Sequence, residues 1–212
     1  MLAIDVFGTI KMTTVRQQNF LIRKEKILAM AETLLLDNNQ DITLSELASE
    51  LDIAKGTIYK HFKSKNQLYL ELIILNEKRL LEISKKYNHD IKTYVSQYML
   101  YNMLNSNRTI LLHVIEERLT NNERKLKELF EELYQVREER IIEIKDMTSD
   151  YLKSLESAMS IRDYLSYIWT VTYGASLLLN STHYQKSIGS RERLIKLYIN
   201  QALMTPDKIS AV

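Results

Sequence analysis

Two helix-start signatures a short way apart constrain this chain more than any other feature. Thr43-Leu-Ser-Glu46 reads T-x-x-E, and Ser64-Lys-Asn-Gln67 reads S-x-x-Q. In such a capping box the hydroxyl accepts from the amide three residues on, while the Glu or Gln side chain reaches back, so a helix begins at each. The chain between them holds two small apolar groups, Leu47, Ala48 and Leu51, then Ile58 and Phe62 beyond Asp52. This spacing predicts two short helices, the second over residues 55–62, joined by a tight turn and followed by a long helix from Ser64 to about residue 87. Upstream, Ile27, Met30, Ala31, Leu34 and Leu35 recur at i, i+3, i+4, i+7 and i+8, one stripe of a helix ending at Asp37-Asn38-Asn39.

Helical periodicity continues to the C-terminus. Helices are expected over residues 89–105 and 108–119, and over 122–147, where Leu126, Leu129, Phe130, Leu133, Val136, Ile141, Ile144 and Met147 make one apolar stripe opposite alternating charges. Residues 161–181 are apolar nearly all round and should be buried on most sides; residues 191–204 should form an amphipathic helix ending before Pro206. One Pro and four Gly leave too few turn residues for a many-stranded sandwich or barrel. The fold class expected is therefore all-α.

No Cys is present, which removes disulfides, thiolate zinc sites and thiol nucleophiles, and fits a reducing compartment. No apolar run is long enough to span a membrane. The apolar start MLAIDVFGTI has its first Lys after the apolar stretch, the wrong polarity for a secretory signal, so a cytoplasmic location without membrane partners is expected. Met12 is a second possible start. GxSxG, P-loop, GxGxxG, HExxH and ExxH patterns are all missing, which argues against an enzyme and for no metal or cofactor.

Two short helices joined by a brief turn describe a helix-turn-helix, whose second helix enters the DNA major groove. A net charge of +2 does not by itself suggest nucleic acid, but charge is concentrated locally: residues 55–65 hold four Lys and no acid, and residues 11–26 add Arg16, Arg23 and Lys24 against one Glu. Such a cluster is either a phosphate-contacting footprint or simply a solvated surface. Gly56 lies inside the second short helix, where Gly costs roughly 1 kcal/mol relative to Ala. Something therefore approaches closely there, either the preceding helix or a DNA backbone. With Ile58 and Phe62 turned inward against Leu47 and Leu51, Lys55, Thr57, Tyr59, Lys60 and His61 face outward.

Residues 43–68, with Gly56-x-x-Tyr59-x-His61-Phe62-x-x-Lys65-x-x-Leu68 at their centre, resemble the TetR family of bacterial transcription regulators. The likeness spans roughly residues 20–80. It implies that Thr43, Tyr59, His61 and Lys65 contact the DNA backbone, and that Lys55, Thr57 and Lys60 stand near the groove with Gly56 permitting the approach. Two positions depart from the family pattern. Asp52 stands where Gly is usual, and Asp tolerates the left-handed conformation. Ala54 stands where Ser is usual, which removes a helix cap.

The resemblance also implies an organisation: an N-terminal extension (1–19), a helix-turn-helix region including the start of a connecting helix (20–80), a helical effector-binding and dimerisation domain (81–205), and a tail (206–212). Tyr and Met residues at helical spacing in the larger domain are core or pocket; in this family they would surround a small, mostly apolar effector, here assigned to Tyr98, Met103, His113 and Trp169. His113 alone reads as a packed or solvated His. The last two helices are expected at a homodimer interface through Tyr173, Gly174, Leu177, Leu194, Leu197 and Tyr198, the alternative being core helices of a monomer. The resulting expectation is a homodimeric, sequence-specific repressor released from a pseudo-palindromic double-stranded operator by its effector. The rivals are a nonspecific nucleoid-associated protein and a helical interaction module without DNA binding.

Overall fold

The computed structural model describes residues 3–4, 10–11, 14–38, 41–120, 124–187 and 189–208. Met12 and most of the expected N-terminal extension lie outside the described residues, as do residues 209–212 of the expected tail. Among the described residues, β1 (Ala3–Ile4) pairs antiparallel with β2 (Ile10–Lys11), and everything else regular is helical. The helices are α1 (Val15–Asn38), α2 (Leu44–Glu50), α3 (Lys55–His61), α4 (Lys65–Lys86), α5 (Ile91–Leu104), α6 (Ser106–Thr120), α7 (Lys127–Ser154), α8 (Ile161–Asn180), α9 (Thr182–Gln185) and α10 (Arg191–Lys208), with a 3-10 turn at Arg124–Leu126. The chain is all-α in class. None of these helices is long and apolar enough to cross a membrane.

The chain divides into two compact units, Met1–Tyr69 and Leu70–Val212, with the division inside α4. In the first unit the Thr43 capping box closes fully, and at Ser64 the hydroxyl half forms while Gln67 reaches back one residue further, to Lys63. The Glu46 amide donates to Thr43 Oγ1 at 3.1 Å and the Thr43 amide to Glu46 Oε2 at 2.7 Å. At α4 the Gln67 amide donates to Ser64 Oγ at 3.1 Å, while Gln67 Oε1 accepts from the Lys63 amide at 2.9 Å. The core of this unit is Ile27, Ala31, Leu35, Ile42, Leu47, Ile58, Phe62 and Leu68, all essentially solvent-free. Burying each such aliphatic or aromatic side chain contributes roughly 1.5–3 kcal/mol.

α1 starts earlier than its apolar stripe suggests. Thr14 and Gln17 make a third capping box, with the Gln17 amide on Thr14 Oγ1 at 3.3 Å and the Thr14 amide on Gln17 Oε1 at 2.9 Å. Residues 15–19 are therefore helical. Hydrogen bonding outruns the hydrophobic pattern here because Val15–Ile22 is exposed and carries no core stripe to read.

In the second unit α8 packs against α5, α6, α7 and α10. Tyr94, Val95, Met99, Met103, Ile144, Tyr164, Ile168 and Ala175 form the centre of its core. Three expectations fail in detail. α7 runs two turns beyond Met147, and Ile141, placed on its core stripe, is 37% exposed. α8 is not buried on most sides, since Trp169 and Leu177 are each nearly half exposed. α10 does not stop before Pro206 but passes through it. Proline cannot donate to the carbonyl four residues back, normally a strong helix break. That carbonyl, on Ala202, accepts the Tyr164 hydroxyl at 3.3 Å, and the next, on Leu203, accepts the Tyr151 hydroxyl at 2.7 Å.

Candidate functional site

The turn between α2 and α3 is a Schellman C-cap. The Asp52 amide donates to the Ser49 carbonyl at 3.1 Å and the Ile53 amide to the Ala48 carbonyl at 3.0 Å. This motif needs a left-handed residue at its centre. Asp52 takes that conformation, with φ 49°, in the place where glycine is usual. Ala54 caps α3 without any side-chain hydrogen bond. α2 thus leads into α3 through a tight, fully bonded turn, and Ile58 and Phe62 seal the inner face of α3 at zero exposure.

On the outer face Lys55, Gly56, Tyr59 and Lys60 are exposed, and Thr57 is half-buried. A Cβ at Gly56 would meet nothing within 4 Å. Of the two reasons for a glycine there, close packing of the preceding helix is thereby removed. Thr43 is exposed beside α2, its hydroxyl oxygen already used as the α2 cap.

His61 and Lys65 are less free than a pure surface reading expects. The His61 ring stacks on Phe20 of α1, centroids 4.1 Å apart and planes 30° apart. Lys65 Nζ sits 2.7 Å from Asp41 Oδ2, donates to the Ile42 carbonyl at 3.1 Å and lies over the Tyr69 ring. The structure also brings in Phe20, which sequence reasoning left aside, beside Arg16 and Arg23, already counted in the basic leading segment. Arg16, Phe20 and Arg23 of α1 share a groove of about 940 Å³ with Thr57, Lys60 and His61 of α3. The signal for them was present: once Thr14–Gln17 caps α1, positions 16, 20 and 23 fall on one helical face.

In the Leu70–Val212 unit, Tyr98, His113 and Trp169 line one cavity of about 340 Å³, together with Tyr173. Met103 is not part of its lining; it is fully buried in the core. Trp169 and Tyr173 stack with planes 5° apart, and His113 meets Tyr173 edge-on at 4.7 Å. The far wall is charged, so this chamber is not mostly apolar. Arg137 grips Glu116 through two bonds of 2.7 and 2.8 Å and Glu77 at 3.1 Å, and Arg140 Nε stands 3.5 Å from Glu77. Burial pulls the Arg137 pKa down, but its bonds to Glu116 and the charges of Glu77 and Glu116 outweigh that and raise it. Burial pushes the Tyr98 phenol up to about 12, with Arg140 pulling the other way.

At the expected dimer face, α8 and α10 pack on one another. Leu177 and Leu197 stay about half exposed, Leu194 and Tyr198 are partly buried, and a Cβ at Gly174 would meet nothing within 4 Å. Tyr173 is turned toward the His113 cavity.

Residues 27–72 match the bacterial regulatory proteins of the tetR family. Over 82 residues the chain is 35% identical to the HTH-type transcriptional regulator QacR of Staphylococcus aureus (strain Mu50 / ATCC 700699), covering 38% of this chain and 44% of that protein. Over 104 residues it is 30% identical to the HTH-type transcriptional regulator AcrR of Shigella flexneri, covering 49% of this chain and 45% of that protein. The chain thus matches under half the length of either relative. The matched segment contains the α2–turn–α3 unit and the start of α4, and the similarity to the tetR family of bacterial regulatory proteins rests on that segment.

Proposed function

We propose that this protein is a sequence-specific DNA-binding transcription regulator that works as a homodimer and represses from a pseudo-palindromic operator in the bacterial cytoplasm. The observation that carries this reading is α3 itself. Its inner face is locked by Ile58 and Phe62, while Lys55, Gly56, Tyr59 and Lys60 are presented outward around a position open to a close approach. Lys60 and Lys55 supply charge, Tyr59 and Thr43 hydroxyls, and the Gly56 backbone a surface that a phosphate can reach. Two such helices, related by a twofold axis, would enter successive major grooves about 34 Å apart.

The dimer axis runs through α8 and α10, whose exposed Leu177 and Leu197 and bare Gly174 surface suit a second copy. Light scattering tests this: a monomer at micromolar concentration removes the dimer. A small effector bound near Tyr98, His113 and Trp169 favours a conformer with misplaced recognition helices. It can do so only by its difference in affinity for the two conformers.

Selection of bound fragments from randomised duplex DNA at physiological salt tests the whole reading. An enriched palindrome supports it. Salt-sensitive retention without enrichment favours the nucleoid-associated alternative. No retention favours the interaction module.

A further inference from the structure

We propose that a second depression in the Leu70–Val212 unit, the groove where α7 and α8 meet α5, binds an anionic amphiphile: a small ligand with an unbranched apolar chain and a carboxylate head. The groove has a volume of about 690 Å³ and shares Tyr98, Arg140 and Trp169 with the charged chamber. This names a ligand class for this groove, and only its consequence at an operator rests on the effector reading above.

The floor of the groove is apolar. Ile144 and Ile168 are almost fully buried, with Ile141, Ile161 and Leu165 as partly exposed walls. Along α8, Ile161, Leu165 and Ile168 recur at i, i+4 and i+7, a strip about 10 Å long at 1.5 Å per residue. A strip of that shape suits an extended chain better than a compact ring. It also accounts for Ile141, an apolar residue on the core stripe of α7 that the core does not cover.

The charged members of the lining are three cations, Arg140, Lys145 and Arg162, and one acid, Glu138. Arg140 is committed to Glu77. Lys145 and Arg162 are exposed and make no ion pair among the described residues. With Glu138 equally exposed and likewise without an ion pair among the described residues, the uncommitted rim is two cations against one acid. This net positive charge around an apolar trough favours a negative head group over a neutral or a positive one. The charged chamber offers no such preference, because its guanidinium groups are already matched by Glu77 and Glu116.

Calorimetry of the full chain with decanoate, decanol and decyltrimethylammonium, each below its micelle concentration and without DNA, tests the proposal. Decanoate is expected to saturate at one site per chain and to bind more tightly than its two homologues. Reversing both rim charges (Lys145→Glu with Arg162→Glu), at exposed positions that leave the core intact, is expected to weaken decanoate by about tenfold or more. Leu165→Trp, which fills the trough, is expected to abolish binding, with circular dichroism confirming that the variant folds. No decanoate binding, equal binding of the cationic homologue, or a charge-reversed variant that binds like wild type each overturns the proposal. Because no duplex is present, these outcomes are separate from failure of the DNA reading, which fragment selection alone decides.

Discussion

Phe20 and His61 lie ring on ring, 4.1 Å between centroids, and so tie the first half of α1 to the last turn of α3. Phe20 is nearly half exposed, so the contact holds little of the unit's core together. Its consequence is positional, since His61 stands beside Lys60 on the outward face of α3. Phe20→Ala is expected to leave the unit folded and to weaken operator binding by about two- to tenfold, the worth of one aromatic pair. Phe20→Tyr, which keeps the stack, should restore it. Fluorescence anisotropy with a labelled duplex checks both.

Gly56→Ala separates stability from binding. Nothing within 4 Å opposes the added methyl, and Ala is the better helix former by about 0.5–1 kcal/mol. Urea denaturation should therefore show a stabilised protein while anisotropy shows weaker DNA binding. A stabilised variant with unchanged affinity would mean that no phosphate approaches this position.

Lys60 and its neighbours should divide by role. Lys60→Ala is expected to weaken binding to all sequences and lower the slope of log affinity against log salt by about 1. Replacing Lys55 or Thr57 should instead alter the enriched sequence. A salt titration and a repeat selection distinguish the two patterns.

The Arg137 cluster joins α4, α6 and α7 through Glu77 and Glu116. Arg137→Ala leaves those two carboxylates partly buried and facing each other. The expected cost is roughly 3 kcal/mol, near the lower end for broken buried pairs because the guanidinium retains some exposure. Chemical denaturation measures it, and a loss under about 0.5 kcal/mol, the scale of an exposed pair, would place the cluster among surface charges.

Asp90 caps α5, and its carboxyl is held below the usual value first by the Thr93 hydroxyl, then by the Lys92 and Thr93 amides, against the effect of burial. A carboxyl with a depressed folded pKa contributes stability that is present above its unfolded pKa and lost as pH falls through the folded one. Stability should therefore decline from about pH 4 downward, and Asp90→Asn should flatten part of that decline in denaturation measured across the acid range.

Local hydrogen-bonding chemistry is legible in the sequence. Thr43–Glu46 and Ser64–Gln67 bounded the helix-turn-helix, and Asp52 could be recognised as a residue able to turn left-handed where glycine is usual. Thr14–Gln17 followed the same pattern and was legible too, but a reading led by apolar stripes passes over an exposed helix start. For the DNA face, the residue types on α3 were visible in sequence; the engagement of His61 with Phe20 and of Lys65 with Asp41 was not, because both partners come from distant segments.

What the sequence alone determined is what depends on neighbours within a few positions: helix starts, the all-α class, the inward Ile58 and Phe62, and the basic outer face of α3. Tertiary structure decided the rest. Pro206 continues a helix because Tyr164, 42 positions earlier in the chain, occupies the carbonyl it cannot serve. Ile141 remains outside the core because α7 and α8 leave a groove where the stripe alone predicts contact. Met103 and His113, similar candidates in one dimension, end in the core and in a cavity wall respectively. Periodicity records which face of a helix is apolar, whereas the element that covers that face is set by packing among helices far apart in sequence.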